Sequence, residues 1–431
     1  SVTIGFIVAA IGCALAGLCY AELSSSIPIA GSAYTYTYAT MGEFLAWIIG
    51  WDLILEYAVG AATVGIAWSE YLNNMLVNVL HVSPIPYELC HSPFQTSADG
   101  VSGIINLPAL FIVAIISLLL IKGTEESAFV NGIIVIVKVA IVVMIIVFGW
   151  GFINPDNHAN YIPEPSVFTD DSGVGHNFGG LMGILGAAGT VFFAFIGFDA
   201  VSTAAQETKN PKRDMPIGIL GSLAICTVLY ILFAHVLTGL ESVEFFRTGG
   251  KEASVANAIT SAMPGYEWLA QFVTVAILFG FTSVILVMLL GQSRVFYAMG
   301  KDGLLPKAFG DLHPKYKTPY KANLAILLIV GLFAAFVPGD IVGDMTSIGT
   351  LFAFILVCAS VIVLRKTNPE MKREFKTPFV PFVPILGIIV CLAMIYGLGW
   401  TNWLRLIGWL ALGFIVYFGY SKKNSKLNNP K

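Results

Sequence analysis

Four ionisable side chains lie deep in apolar sequence: Asp52 and Glu56 in GWDLILEYAVGA, Lys138 in FVNGIIVIVKVAIVVMIIVFGW, and Asp199 in FFAFIGFDAV. Charges inside segments able to cross a bilayer are expensive and mark ion, proton and substrate pathways. Lys138 follows Phe129 by nine residues, which at 1.5 Å per residue is about 14 Å, too deep for easy snorkelling to water. A dry ammonium at that depth could exchange a proton near neutral pH. Its structural alternative is a tie to backbone carbonyls at a helix break. Glu56 comes one turn after Asp52, so both are expected on one helix face. Glu56 is expected to be a buried acid that meets a backbone N–H, a water or Lys138. Asp52, beside Trp47 and Trp51, is expected at the membrane interface. Asp199 suits anchoring of freed backbone donors or capping of a restarting helix as well as proton carriage. His235, alone in an apolar span, is expected to be a satisfied buried residue. Together these groups suit proton movement and the holding of charged ligand ends. No hydrolytic triad, HExxH, P-loop or dinucleotide fingerprint accompanies them, so neither an enzyme nor a cofactor is expected.

Positioning such groups falls to long helices, and one stretch stands out. Gly180–Lys212, GLMGILGAAGTVFFAFIGFDAVSTAAQETKNPK, is apolar from Gly180 to Ala205 apart from Asp199 and three hydroxyl residues. It exceeds the roughly 20 residues of a straight crossing. Glycine and a carboxylate at its centre predict a helix that stops and restarts, since freed backbone groups are tolerated in a bilayer only where they line a protein or water cavity. The alternative is an ordinary kinked span.

The chain of 431 residues is 57% hydrophobic and 11% charged, against about 25% charged in soluble proteins. It is therefore expected to be an all-α polytopic membrane protein, in contact with lipid. Hydropathy gives eleven spans, at about 2–20, 44–78, 104–121, 127–152, 178–206, 216–240, 266–297, 322–338, 344–364, 382–400 and 403–421. The second and seventh are long enough to need tilt or extension into water. Of the 23 Lys and Arg residues, nineteen fall in alternate connections, three in the others and one inside a span. The positive-inside rule then puts the C-terminus in the cytoplasm and the protein in the cell membrane. Eleven spans place Ser1 outside, which suggests an upstream span and twelve in the intact protein. The connection SSSIPIAGSAYTYTYATMGEF has no basic residue and is expected to pack against the protein. The connection 154–173 is expected to be a solvated, turn-rich surface. Cysteines show no metal spacing, and no basic run suits nucleic acid.

Several long motifs, in order, resemble the amino acid–polyamine–organocation superfamily, and within it the cationic amino acid transporter branch and its bacterial relatives. They are AGLCYAELSSSIPIAGSAYTYTYATMGE (16–43), GWDLILEY (50–57), FFAFIGFDAVSTAAQETKNPKRDMPIGI (192–219), GQSRVFYAMGKDGLLPKAF (291–309) and IGTLFAFILVCASVIVLRKTNP (348–369). The resemblance implies a five-plus-five inverted repeat followed by two extra helices. That gives one domain over 1–431, with repeat 1 at about 1–152, repeat 2 at about 178–364 and the extra helices at 382–421. The family's first and sixth helices are broken at mid-membrane, and the span at 178–206 matches the sixth. The chain begins where the second helix should, so the first is expected to be absent from it. By position the resemblance implies that Phe193, Ala194 and Ile196, beside Gly197, offer carbonyls to a substrate ammonium. Phe193 would gate the site and Met288 would line the side-chain pocket. Asp199 would stabilise the unwound segment. Lys138 matches a lysine that stands in for a sodium site in proton-coupled members, and Glu56 a third-helix acid of coupling. The expected function is transport of L-amino acids with protons, small neutral side chains being favoured and cationic ones possible. An exchanger without proton coupling and a sensor that binds without transport are the rivals.

Overall fold

The computed structural model describes residues 2–27, 32–97, 99–123, 128–169, 175–201, 208–248 and 253–427. Each of the eleven apolar stretches contains a helix. Among the described residues seven helices have the length and composition to cross a membrane, and four shorter apolar ones, Leu107–Lys122, Gly180–Phe195, Tyr320–Phe336 and Phe382–Gly397, account for the rest. In chain order we label α1 (Val2–Ser26), α2 (Ser32–Met41), α3 (Glu43–Asn78), α4 (Leu107–Lys122), α5 (Ala128–Gly149), α6 (Gly180–Val191) and α7 (Pro211–Leu240). The short α8 (Val243–Thr248) and α9 (Ser254–Ala262) precede α10 (Glu267–Lys301), α11 (Tyr320–Phe336), α12 (Gly339–Thr367), α13 (Phe382–Gly397) and α14 (Trp400–Val416).

Helices with no polar face gain nothing from the hydrophobic effect by leaving lipid, so they associate through close packing of small residues. The sequence supplies these residues. On α1, Gly5 faces Ala188 of α6 and Gly17 faces Leu223 of α7. The tightest approach joins α6 to α13, where a Cβ on Gly397 would lie 2.4 Å from the Leu185 carbonyl carbon. No other residue fits there. Helix α5 shows the opposite behaviour. Ile133, Val135, Ile136, Val137, Val139, Val143 and Val147 are all exposed, which makes it a lipid-facing wall.

Connections meet at two ends, as an up-and-down bundle requires. At one, Thr318 bonds the Ile121 carbonyl at 2.6 Å, Lys426 N–H bonds Asp302 O, and Tyr34 of α2 bonds the Asp302 carboxylate at 2.6 Å. Helix α2 is thus packed against the protein, with Tyr34 and Tyr36 buried. At the other end, Asn157 reaches the Gly239 carbonyl and Gln271 the Asn78 carbonyl. The connection expected to be turn-rich also forms a hairpin, β1 (Ser166–Thr169) with β2 (Gly175–Phe178). The Arg247 guanidinium stacks over Phe168 at 4.4 Å and Phe178 at 4.6 Å. His235 belongs to this end too, stacked on His158 at 4.5 Å and near Trp150. It serves the docking of a loop, whereas a core position was expected.

Helix α3 contains a feature that hydropathy cannot show. Residues Ile54–Val59 form a π-turn, and the Gly60 N–H reaches back five residues to the Leu55 carbonyl. One extra residue per turn swings the following side chains to a new direction, and such turns recur at functional sites. Glu56 and Tyr57 lie inside it.

Candidate functional site

The helix begun by α6 stops as the sequence predicted. After Val191, Phe192–Phe195 make a single 3-10 turn, Ile196 takes φ −58° and ψ 134°, and Gly197 takes φ +115°. A side chain strongly disfavours that last conformation. A Cβ on Gly197 would meet nothing within 4 Å, so glycine is required here by backbone geometry and not by crowding. The restart expected after Asp199 lies partly at 202–207, outside the described residues.

Freed backbone groups need partners in hydrocarbon, and here they have specific ones. Asp199 Oδ1 accepts the Gly197 N–H at 3.3 Å, and the Ala200 N–H bonds Gly197 O at 3.1 Å. Of the three carbonyls expected to face an ammonium, Phe193 O accepts from the Ile196 N–H at 3.2 Å and Ala194 O from the Tyr230 hydroxyl at 2.8 Å. Each carbonyl keeps a second lone pair. No donor among the described residues reaches Ile196 O.

Aromatic packing holds one side of the break. Phe192, Phe195 and Phe198 are buried. Phe192 and Phe198 lie edge-on to Phe354 at 5.4 and 5.2 Å, and Phe198 also meets Tyr20 at 5.8 Å. Phe193, half-buried, points the other way. It packs with Ile196 against the cluster that contains Met288, Ile54 and Val59. Met288 itself is buried, and its thioether lies about 3.5 Å from where a Cβ on Gly60 would stand. The expected substrate-facing residues Phe193, Ile196 and Met288 therefore belong to one apolar cluster.

The acids converge on the same place. Glu56, Asp199 and Tyr57 are fully buried. Tyr57 Oη donates to Asp199 Oδ2 at 2.5 Å. The charges facing Glu56 are both acidic, Asp199 and then Asp52. Two carboxylates close together away from water repel and lose their hydration, and neither Glu56 oxygen has a hydrogen-bond partner among the described residues. Asp52 corrects an expectation. It is fully buried inside the protein, both oxygens without a hydrogen-bond partner among the described residues, with Oδ1 3.4 Å from a Cβ position on Gly349 of α12. The flanking tryptophans misled because Trp47 is itself fully buried and Trp51 stacks on Trp409 at 4.8 Å. They cement α3 to α14.

Lys138 turns inward from α5, whose inner face also carries the buried Ile141, Ile145 and Ile146. Its Nζ donates to Ser283 Oγ on α10, and Ser283 Oγ donates to the Gly280 carbonyl at 3.0 Å. Among the described residues no carboxylate pairs with it, so Lys138 and Glu56 are not brought together. Helix α10 connects the two places: Gly291 packs on the Tyr57 ring, eight residues and about 12 Å along the helix from Ser283. Sequence reasoning missed Tyr57, Tyr230 and Ser283. Tyr57 directly follows Glu56 in the GWDLILEY motif, and that adjacency was the available signal.

A nearly all-helical bundle of apolar helices with one span broken beside buried carboxyls is the architecture of a membrane permease. The amino acid permease family model matches residues 1–420, and the chain belongs to that family. It is a multi-pass membrane transporter and not an enzyme. It is 43% identical to the branched-chain amino acid permease BcaP of Bacillus subtilis, over 99% of this chain and 87% of that protein. It is 40% identical to the methylthioribose transporter of the same organism, with the same two coverages. Similarity to the vacuolar cationic amino acid transporter 4 of Arabidopsis thaliana is 33% over 86% of this chain and 58% of that protein.

Proposed function

We propose that the protein carries neutral L-amino acids with aliphatic side chains, from alanine to the branched-chain ones, together with protons across the cell membrane. The observation that carries this reading is the shared position of the break at Ile196–Gly197, the Phe193–Met288 wall and the Glu56–Asp199 pair. The substrate ammonium sits against the Ile196 carbonyl and the spare lone pairs of Phe193 O and Ala194 O. Its side chain lies on Phe193 and Met288, with Phe193 gating. An apolar wall without an acid at its end offers a cationic side chain no partner, which weighs against lysine or arginine.

Coupling follows from the two hydrogen bonds of Asp199. One oxygen holds the Gly197 N–H and the other the Tyr57 hydroxyl, so any change of charge at the Glu56–Asp199 pair acts directly on the broken backbone. A shared proton lets both acids stay in place. Its loss leaves two repelling carboxylates and favours rearrangement of the break. Lys138 of α5, tied to Ser283 of α10, is a second station. Its ammonium balances buried negative charge as the bundle rocks between its two openings.

Similarity to a methylthioribose transporter favours one second reading, since a methylthio group would also suit a wall of Met288 and Phe193. Competition separates the two. With labelled alanine taken up by the full-length protein in liposomes, excess unlabelled valine, leucine or isoleucine is expected to reduce uptake at least about fivefold, and lysine less than about twofold. Strong inhibition by methylthioribose with none by the aliphatic amino acids would replace the proposal.

A further inference from the structure

The motif after the broken span, Lys209-Asn210-Pro211-Lys212-Arg213, takes no part in the site above. It lines an open cavity of about 810 Å³ at the start of α7, closed on its far side by Glu374 and Phe375. Lys209, Lys212 and Arg213 are exposed. None of the three makes an ion pair among the described residues. Glu374 is the one acid on the lining, and Lys372 already pairs with it at 3.2 Å. Among the described residues the cavity is therefore an uncompensated positive hollow at the end of a membrane-spanning helix.

What leads away from it is apolar. Ile217 lines the cavity one turn beyond Arg213, and the same face of α7 continues through Gly221 to Ile225 and Val228. Ile217 and Ile225 are each 60% exposed and Val228 58%. A Cβ on Gly221 would meet nothing within 4 Å, so this face has a shallow track along the bilayer side. The opposite wall is rigid. Thr377 N–H bonds Glu22 Oε2 at 2.7 Å, Thr377 Oγ1 bonds the Leu18 carbonyl, and Arg365 pairs with Glu22 at 2.7 Å. Glu374 and Phe375 are thus carried on a segment fixed to α1 and α12.

We propose that this cavity binds the phosphate of an anionic phospholipid headgroup, with an acyl chain lying along the Ile217–Val228 face. Charge complementarity selects the headgroup, and continuity of the basic hollow with an exposed apolar track selects a lipid over a free phosphate. A bound headgroup joins the start of α7, twelve residues after Asp199, to the wall pinned on α1 and α12.

The test uses the delipidated full-length protein in detergent, read by native mass spectrometry with titrated phosphatidylglycerol or phosphatidylcholine. The first phosphatidylglycerol is expected to bind at least about tenfold more tightly, and that preference is expected to fall to within about twofold of parity in the variant combining Lys209→Gln, Lys212→Gln and Arg213→Gln. A control with Lys301→Gln and Lys307→Gln loses charge elsewhere and should keep the preference. Glycerol 3-phosphate at millimolar concentration should not displace the lipid. Equal binding of the two lipids, an unchanged preference in the triple variant, equal loss in the control, or displacement by glycerol 3-phosphate would each overturn the proposal. The headgroup preference of the unsubstituted protein decides the matter even if the triple variant does not fold.

Discussion

Glu56→Gln is expected to abolish accumulation of labelled alanine driven by an inward proton gradient, lowering initial rates at least about tenfold, while one-for-one exchange with internal alanine stays within about threefold of the parent. Glutamine keeps the size and polarity of the π-turn residue but cannot bind or release the proton. Asp199 then keeps both its partners, the Gly197 N–H and the Tyr57 hydroxyl, so the substrate-holding backbone survives. A purely structural Glu56 would lose both modes together, and retention of full gradient-driven uptake would remove Glu56 from coupling altogether. The amide also relieves the burial of two adjacent carboxyls, so the variant should be no less stable to heat than the parent.

Gly197→Ala should act through the backbone instead. With φ at +115° and no atom within 4 Å of the added Cβ, the methyl group meets no neighbour but must adopt a conformation that costs about 1–3 kcal/mol. The peptide escapes by rotating, which withdraws the Ile196 carbonyl and breaks the bond to Asp199. Substrate affinity is expected to fall at least about tenfold, equivalent to about 1.4 kcal/mol, in both exchange and gradient-driven modes. Gly408→Ala provides the contrast. It too adds a methyl into open space, but within the regular helix α14, where alanine is favoured by about 1 kcal/mol, and transport should be unaffected. Equal behaviour of the two variants would show that the break does not hold substrate.

The two variants also mark how far residue types alone reach. The break was legible because glycine beside aspartate inside an apolar run is a local signal. Spans were legible because hydropathy needs no tertiary information, and their limits at Asn106 and Pro211 carry ordinary helix-start chemistry, with Asn106 Oδ1 accepting the Ala109 N–H at 3.1 Å. Asp52 was misjudged because tryptophans at an interface and tryptophans between packed helices look alike in sequence. The π-turn at Ile54–Val59 has no signature in composition, yet it aims Glu56 and Tyr57 at Asp199, 142 residues beyond Tyr57. Pairing of Lys138 with Ser283 instead of Glu56 likewise depends on how α5 docks on α10. Side-chain partners across helices are set by packing, and single spans do not encode it.

Proton movement accompanying substrate is the most direct measure of the central claim. Full-length protein is reconstituted in liposomes holding no amino acid, in weakly buffered medium with a pH indicator outside, and alanine is added. The account predicts transient alkalinisation of the medium that requires both alanine and Glu56, with protons and alanine entering in a fixed ratio. Uptake of alanine with no pH change, or uptake only when the liposomes are preloaded with amino acid, would contradict it.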